Sequence, residues 1–416
     1  MRGMKDSGLN YLGEIPTAWT THRLKGYLAV SRTTGRPNAK VLSLYRDYGI
    51  VPKDSRDDNH NVTSLDTSKY KFVEVGDFVI NKMKGWQGSM ALSAYEGIVS
   101  PAYHVFKFVD SALVPGYAHY LLRCCSYADE WHKLSTGLRV GQWDLHVEDF
   151  LNTKIPLPSL DEQRRIADYL DEKCAEIDRA VSAAEHSIEE YKAYKNSVVF
   201  QAVTKGLDSD VPMADSGLDW IGCAPRHWDV LEQKWLMRKK KSICEKWQGE
   251  SVLSLTIGGV IVRDIESGKG KFPATFDGYQ YIDAGNLVLC LFDIDVTPRC
   301  VGLARQDGVI SPAYSQFAML PGAEARFYDY YLRAMDDRKL YLGLTSTMRH
   351  SFTADAFGLI HALRPPVDEQ LRIANYLDAK TAEIDRLVLS KQAIIADLKA
   401  YKQSLIYEAV TGKREV

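Results

Sequence analysis

The chain has 416 residues and a mass of 46.9 kDa, which at roughly 100–200 residues per domain predicts two or three domains with full-sized cores. Hydrophobic residues make up 45% and charged residues 25%. This usage excludes a wholly disordered chain, a collagen-like chain and a small disulfide scaffold. The net charge of −2 argues mildly against a nucleic-acid partner, because proteins that bind DNA only through phosphates are usually basic. It does not exclude such a partner, since the charge on one face is what matters.

The apolar stretches, the first residues and the cysteine pattern together predict a cytoplasmic protein. No stretch reaches about 18 apolar residues, so no membrane span is predicted. The first residues lead into no apolar segment of a secretory signal. The seven cysteines include no C-x-x-C pair, which is typical of a reduced cytoplasmic protein without a thiolate zinc site.

A tandem duplication organises the chain, and such repeats decide an architecture. Asp161-Glu162-Gln163 recurs as Asp368-Glu369-Gln370, 207 residues later. Asp6-Ser7-Gly8-Leu9 recurs as Asp215-Ser216-Gly217-Leu218 after 209 residues, and Ser100-Pro101-Ala102-Tyr103 as Ser311-Pro312-Ala313-Tyr314 after 211. Each half is therefore predicted to be a globular unit followed by a helical unit, with boundaries at 1–158, 159–206, 207–365 and 366–416.

The globular units, in chain order, show short apolar runs bounded by Gly, Pro and Asp, a pattern that predicts strands. The runs are Phe72–Ile80, Ile98–Phe108, Ile282–Phe292 and Val309–Met319. Helices are predicted over Tyr117–Trp131 and Arg326–Leu342, each after a Pro-Gly pair. The predicted fold class is α+β, with two globular α/β units and an internal pseudo-two-fold repeat.

The helical units each show a heptad pattern of apolar positions, about 40 residues and roughly 60 Å long. A seam of this kind is buried most economically against the second copy, as in a coiled coil. A two-fold relation between the copies predicts that the helices run antiparallel, and that residues 6–19 lie beside the end of the second helix. The seam residues are Leu170, Ile177, Val181, Ile188, Leu377, Ile384, Val388, Ile395, Leu398 and Leu405.

Catalytic and metal signatures are weak or missing. The two Ser-Pro-Ala-Tyr segments resemble the [Asp/Asn/Ser]-Pro-Pro-[Tyr/Phe] motif of amino-methyltransferases, which act on a flipped base, but both lack the second proline. A structural role, in which proline fixes the backbone and tyrosine packs in the core, is the alternative. No phosphate loop and no H-E-x-x-H pattern occur, so no catalytic residue and no metal site are predicted.

Three features suit nucleic-acid binding. The segment Lys82–Ser89 mixes cations, an aromatic ring and an amide in a Gly-flanked loop, which suits base-edge readout but also an ordinary hairpin. A basic run at 238–241 suits phosphate contacts, or equally a solvated patch. Two aligned polar turns, one in each half, both end in an arginine. Either a shared phosphate contact or a shared constraint of the fold explains this recurrence. The predicted DNA-binding residues are Lys82, Lys84, Trp86, Gln87, Arg139, Arg238, Lys239, Lys240, Lys241, Arg299 and Arg349.

These motifs together resemble the specificity subunit of type I restriction–modification systems. The resemblance covers nearly the whole chain. It is carried by the duplicated Asp-Ser-Gly-Leu…Gly…Pro…Trp segment and by Leu157-Pro158…Asp161-Glu162-Gln163-x-x-Ile166-Ala167-x-Tyr169-Leu170-Asp171 with its copy at 366–378. The helix ends Ala202-Val203-Thr204-Lys205-Gly206 and Ala409-Val410-Thr411-Gly412-Lys413 complete it.

The resemblance implies two target recognition domains that read the halves of a bipartite, asymmetric DNA site, and two conserved spacer helices. It implies docking of two modification subunits and, through the complex, of restriction subunits. S-adenosylmethionine, ATP and Mg would bind those partners, and this chain would hold no cofactor and not itself catalyse adenine-N6 methylation. Two rivals stay open: a stand-alone DNA adenine methyltransferase that uses the Ser-Pro-Ala-Tyr sites, and a coiled-coil scaffold without DNA specificity.

Overall fold

The computed structural model describes residues 2–46, 48–55, 63–64, 66–137, 143–266, 273–345 and 350–416. Two compact units divide the chain: unit 1 comprises Met1–Glu185 with Gln392–Val416, and unit 2 comprises His186–Lys391. Each unit therefore takes one part of each long helix. Within the described ranges, no helix is long and apolar enough to cross a membrane.

Unit 1 contains a four-stranded antiparallel sheet of order β4-β11-β8-β9, with smaller sheets beside it. Its strands are β1 (Met4–Asp6), β2 (Glu14–Pro16), β3 (Thr20–Arg23), β4 (Leu28–Ser31), β5 (Leu42–Tyr45), β6 (Gly49–Pro52), β7 (Lys71–Val73), β8 (Phe78–Asn81), β9 (Met90–Leu92), β10 (Gly97–Val99), β11 (Tyr103–Phe108), β12 (Ser135–Thr136), β13 (Asp144–Leu145) and β14 (Lys154–Leu157). Its helices are α1 (Pro115–Arg123), α2 (Cys125–Leu134), α3 (Val147–Asn152) and the first part of α4 (Leu160–Lys205).

Unit 2 repeats this plan with sheets of order β18-β25-β22-β23 and β20-β19-β24-β21. Its strands are β15 (Met213–Asp215), β16 (Cys223–Pro225), β17 (Asp229–Glu232), β18 (Met237–Lys240), β19 (Val252–Thr256), β20 (Gly259–Val262), β21 (Gln280–Ile282), β22 (Leu287–Leu289), β23 (Val301–Leu303), β24 (Gly308–Ile310), β25 (Ser315–Met319) and β26 (His361–Arg364). Helices α5 (Ala325–Asp337), α6 (Ala354–Gly358) and α7 (Val367–Val410) follow the same order as in unit 1.

The core of each unit lies between its sheets and the short helices before the long one. In unit 1 the Phe150 ring packs on Phe78, Phe106 and Trp131, with ring centroids 5.0–6.4 Å apart. In unit 2 the core surrounds Phe317, Phe327 and Phe357. Aromatic burial of this kind is a major stabilising contribution in each unit.

The predicted strands are each broken in two, because their sequences contain turns. Phe72–Ile80 forms β7 and β8, which belong to different sheets, and Gly76 between them has a φ of +91°. Only glycine adopts that conformation readily. Ile98–Phe108 is divided into β10 and β11 by the Ser-Pro-Ala-Tyr segment. The predicted helix Tyr117–Trp131 is likewise two helices, because Cys124 is extended.

The two long helices pair antiparallel within each unit. In unit 1, Lys402 contacts Asp178 and Lys399 contacts Glu185, so numbers rise along one helix as they fall along the other. Of the ten predicted seam residues, eight are buried, and Val388 and Leu398 are half-buried. The predicted class, α+β with two long antiparallel helices, is confirmed.

The repeated motifs join each long helix to its globular unit. In unit 1 the Trp19 indole donates to Glu162 at 2.9 Å, and Gln163 bonds the backbone of Val114, Ala112 and Pro158. In unit 2 the Trp228 indole donates to Glu369, and Gln370 accepts from the Glu324 amide and donates to the carbonyls of Gly322 and Pro365. Buried polar groups that are fully bonded fix a unique geometry. The motifs therefore fix the start of each long helix to its own globular unit.

Residues near the start of the chain lie against the end of α7, as the duplication predicts. A Cβ atom added at Gly412 would lie 2.4 Å from Pro16 Cγ and 3.0 Å from the Trp19 ring, and its φ is +70°. The Tyr117 hydroxyl donates to the Val410 carbonyl at 3.2 Å. Gly206 takes the equivalent place in unit 2, with a φ of +77°.

Candidate nucleic-acid interface

One end of the four-stranded sheet gathers several of the predicted DNA-binding residues in each unit. In unit 1, β4 and β8 end there, because Ser31 and Val79 both pair with Val105 of β11. In unit 2, β18 and β22 end there, because Lys240 and Val288 both pair with Gln316 of β25. We call this the reading end of each sheet.

The turn after β8 presents cations at the reading end of unit 1. Lys84 and Gln87 are exposed, and Lys82 is half-buried, with its ammonium 3.8 Å from Asp144. The turn is closely held: the amide of Leu145 donates to the Lys82 carbonyl at 3.0 Å, and Gly88 closes it with a φ of +77°. A backbone held in this way needs no ordering on binding, so only the exposed side chains lose freedom when they make contacts.

Trp86 lies in an aromatic cluster that was not predicted from the sequence. Its ring centroid is 5.2 Å from that of Trp143 and 5.5 Å from that of His132, and these two are 4.7 Å apart. The indole N–H donates to the Met83 carbonyl. Trp86 therefore has apolar surface but no free donor to offer a ligand.

The polar surroundings of this turn are locally positive. Burial lowers the pKa of His104 to about 4, and Lys71 lowers it further, with Asp144 opposing. Burial also lowers the pKa of Lys71, and Lys82 adds to that shift. Neighbouring cations disfavour each other's charged form. Burial is the main cause of both shifts, and the repulsion between Lys71 and Lys82 is a smaller contribution.

The Ser-Pro-Ala-Tyr segments form tight turns in both units. The Tyr103 amide donates to the Ser100 carbonyl at 3.0 Å and the Tyr314 amide to the Ser311 carbonyl at 3.2 Å. The tyrosine carbonyls accept from side chains of the neighbouring strand: Lys71 in unit 1, at 2.5 Å, and Gln280 in unit 2, at 2.7 Å. This arrangement agrees with the structural alternative, in which proline fixes the backbone and the ring packs on the core.

The basic run of unit 2 occupies the edge strand β18. Arg238, Lys239 and Lys241 are exposed, and Lys240 is half-buried and paired with Asp283. Lys241 lies just beyond β18, at the reading end. The equivalent position in unit 1, just beyond β4, is the exposed Arg32, which sequence reasoning missed because it stands alone and not in a basic run.

The turn after β22 in unit 2 differs in charge from the turn after β8 in unit 1. Arg299 has only 12% of its side chain exposed and lies 2.7 Å from Asp337 and 3.8 Å from Asp336. Its charge is already neutralised, so it is not free to bind a phosphate. Arg139 and Arg349, also predicted to bind DNA, lie outside the described residues. Among the described residues, no group of three His, Cys, Asp or Glu side chains could hold a metal ion.

Comparison with known proteins gives consistent matches. Residues 16–183 match the family described as the type I restriction modification DNA specificity domain. The chain is 23% identical over 434 aligned positions to the putative type I restriction enzyme MjaX specificity subunit of Methanocaldococcus jannaschii, covering 97% of this chain and 96% of that protein. It is 24% identical over 224 positions to the type I restriction enzyme StySPI specificity subunit of Salmonella potsdam, covering 52% and 42%.

Solved structures share the fold. The HsdS subunit from Thermoanaerobacter tengcongensis matches with a TM-score of 0.52 and 16% identity over 96% of this chain and 98% of that chain. A chain from a structure concerned with complex assembly and conformational transition of the type I R-M system matches with a TM-score of 0.69 and 15% identity, over 95% and 98%.

The duplicated α+β units, their long helices and these matches define a DNA-recognition protein of the two-unit, helix-linked class. Residues 16–183 match the DNA specificity domain of type I restriction–modification systems, and the chain is similar over nearly its whole length to a specificity subunit of such a system. That subunit is the non-catalytic member of its complex, so the prediction that this chain is not an enzyme by itself is confirmed by the family. The stand-alone methyltransferase and the scaffold without DNA specificity are thereby set aside.

Proposed function

We propose that each globular unit reads one half of a bipartite, asymmetric DNA site through the reading end of its sheet. The observation that carries this proposal is the repetition of one sheet end with different side chains in the two copies. Equivalent backbones hold Lys82, Lys84 and Trp86 in unit 1, and Lys241 with an apolar, acidic turn in unit 2. Unlike surfaces on like scaffolds suit two unlike half-sites.

In this proposal the contacts divide into two kinds. Lys84, Arg32 and Lys241 lie at the reading end, and Arg238 and Lys239 lie farther back along β18. All five are exposed cations that contact phosphates and fix the register on the duplex. Gln87, beside Trp86, is the side chain of unit 1 best suited to an adenine edge. The proposed domain boundaries remain 1–158, 159–206, 207–365 and 366–416.

The long helices act in this proposal as a spacer and as the docking surface for two modification subunits. Exposed tyrosines support it: Tyr194 and Tyr401 are equivalent positions in the two repeats, and they are 50% and 51% exposed. Exposed aromatic side chains are enriched at protein interfaces. Two copies of one surface fit two copies of one partner, and restriction subunits would join through the complex.

The chemistry belongs to the partners in this proposal. S-adenosylmethionine would bind the modification subunits, which methylate adenine N6, and ATP and Mg would bind elsewhere in the complex. This chain supplies DNA sequence recognition and position only. Its place of action is then the cytoplasm.

Selection from a random DNA pool tests the recognition role. The chain, purified with its modification subunits, is expected to enrich two fixed half-sites separated by a fixed spacer. Inserting four residues near Lys205 is expected to change the spacer and leave both half-sites unchanged. Enrichment of one contiguous sequence, or a change of bases inside a half-site after the insertion, would refute the proposal.

A further inference from the structure

Met83 of unit 1 and Phe292 of unit 2 occupy the same position in the two repeats. Each lies two residues after the position that faces the tyrosine of the Ser-Pro-Ala-Tyr turn across the sheet. In each copy the carbonyl of the preceding residue accepts a backbone hydrogen bond from a later segment of the same unit. The Leu145 amide donates to the Lys82 carbonyl at 3.0 Å, and the Phe352 amide donates to the Leu291 carbonyl at 2.7 Å. Two separate copies thus fix one backbone position at the reading end.

Both copies place a large apolar side chain in solvent at that position. Met83 and Phe292 are each 41% exposed, although the residues around them differ: lysines flank Met83, and Asp293 follows Phe292. Single exposed apolar residues need no explanation on a surface. An equal exposure at equivalent positions of two otherwise unlike surfaces favours a shared contact at that position.

The backbone beneath these side chains is anchored by hydrogen bonds. The Met83 amide donates to Asn81 Oδ1 at 3.1 Å, and its carbonyl accepts from the Trp86 indole at 3.1 Å. The Asp293 amide, next to Phe292, donates to Ser351 Oγ at 3.1 Å. The side chains therefore stand on anchored backbone, which favours a specific contact over a loose one.

The groove edges of the base pairs offer one apolar group for such a contact. In the major groove an A·T pair presents the C5 methyl group of thymine, whereas the minor groove presents only hydrogen-bonding groups. Neither a thioether beside a satisfied indole nor a phenyl ring can donate a strong hydrogen bond to a base. Resting on the proposed function, we infer that Met83 and Phe292 are specificity-determining residues, each packing on a thymine methyl group in the half-site read by its own unit.

Replacing thymine by uracil in the probe DNA tests this inference, because uracil lacks only the methyl group. The probe is the selected bipartite site, with each thymine replaced in turn, and the protein is the chain with its modification subunits. Uracil at one position in each half-site is expected to weaken binding by about fourfold, the value of one buried carbon group.

The variants assign each effect to a side chain. Met83→Ala is expected to abolish the uracil effect in one half-site only, and Phe292→Ala in the other half-site only. Val109→Ala and Trp235→Ala are the matched controls. Both replace exposed apolar residues, and both lie at the sheet end opposite the reading end, since Val109 follows β11 and Trp235 precedes β18. The controls should keep both uracil effects.

The outcomes separate the inference from the proposed function. If no bipartite site is selected, the proposed function fails and the inference with it. If the site is selected but uracil has no effect in either half, or its effect persists in Met83→Ala and Phe292→Ala, only the inference is overturned. Loss of modification-subunit binding in these variants, with DNA selectivity intact, would assign the position to a protein contact and would also overturn it. Unchanged thermal unfolding of the variants confirms that they are folded.

Discussion

Lys195 Nζ lies 2.7 Å from both carboxylate oxygens of Asp385 on the opposing helix of unit 2. Lys402 makes the same contact with Asp178 in unit 1, at 2.7 and 2.6 Å. Each lysine stands where the heptad pattern expects an apolar residue. Polar residues at seam positions select one register and orientation at some cost in stability, so these pairs specify the antiparallel arrangement.

A double-mutant cycle on Lys195→Met and Asp385→Asn is expected to give a coupling free energy of about 0.2–1 kcal/mol, because both side chains are partly exposed. The coupling should shrink as salt is raised. Urea unfolding measures it. The matched control is Lys192 with Glu189, an exposed pair within one helix, which should couple by no more than about 0.5 kcal/mol. Zero coupling between Lys195 and Asp385 at low salt would show that this pair does not specify the antiparallel arrangement of the helices.

Glu162→Ala is expected to cost about 1–3 kcal/mol in the free energy of unfolding, because it leaves the buried Trp19 indole N–H without an acceptor. It also unpairs Arg2, whose guanidinium lies 2.7 Å from Glu162. Glu162→Gln keeps an acceptor oxygen and should cost less. Glu172→Ala, on the exposed face of the same helix, is the control and should change stability by no more than about 0.5 kcal/mol. Equal costs for the three variants would contradict the role given to the motif.

Gly412→Ala should destabilise the chain more than Gly206→Ala. Both positions have positive φ, so alanine loses roughly 1–2 kcal/mol at either. The added Cβ at Gly412 also meets Pro16 Cγ at 2.4 Å, whereas at Gly206 the nearest atoms are 3.3 Å away, and overpacking costs about 1–3 kcal/mol more. Thermal unfolding of the two variants measures the two losses of stability. A smaller loss for Gly412→Ala than for Gly206→Ala would contradict this expectation.

Stability should fall as the pH drops from about 6.5 towards 4, in part because of His119. Burial lowers its pKa to about 3, with Arg123 contributing, and its Nδ1 accepts from the Leu92 amide at 3.1 Å. In the unfolded chain the ring takes up a proton near its ordinary pKa, whereas in the folded chain it stays neutral, so acid favours unfolding.

His119→Gln, which cannot take up that proton, should flatten the pH profile of the unfolding free energy by on the order of 1–3 kcal/mol across this range. His186→Gln, at a ring that is 77% exposed, should leave the profile as it is. A profile of His119→Gln parallel to that of the wild type would show that His119 does not contribute.

The heptad spacing of apolar residues was sufficient to predict the long helices, which span 46 and 44 residues. Two apolar seams of such similar length are buried most economically against each other. The spacing did not predict why Lys195 interrupts the seam, since its partner Asp385 is 190 residues away. The strand predictions failed at Gly76 and at Ser100–Tyr103, where single turns send one apolar run into two sheets. Local composition cannot show which sheet each part joins.

The candidate site was predicted only where its residues are contiguous. The turn 82–88 and the run 238–241 were recognised as sequence neighbours. Trp143 and His132 join Trp86 from other elements, and Arg32 stands alone beyond β4, so no local pattern marks them. Arg299 pairs with Asp336 and Asp337 of α5, and no local pattern shows that these aspartates lie beside it.

Mapping methylated adenines across the genome of cells that carry the complete system tests the central claim most directly. The account predicts one bipartite motif, with two unlike half-sites at a constant separation of about one helical turn, and a motif that changes in one half only when the reading end of one unit is substituted. A single uninterrupted motif, or a change in both halves after a substitution in one unit, would contradict it.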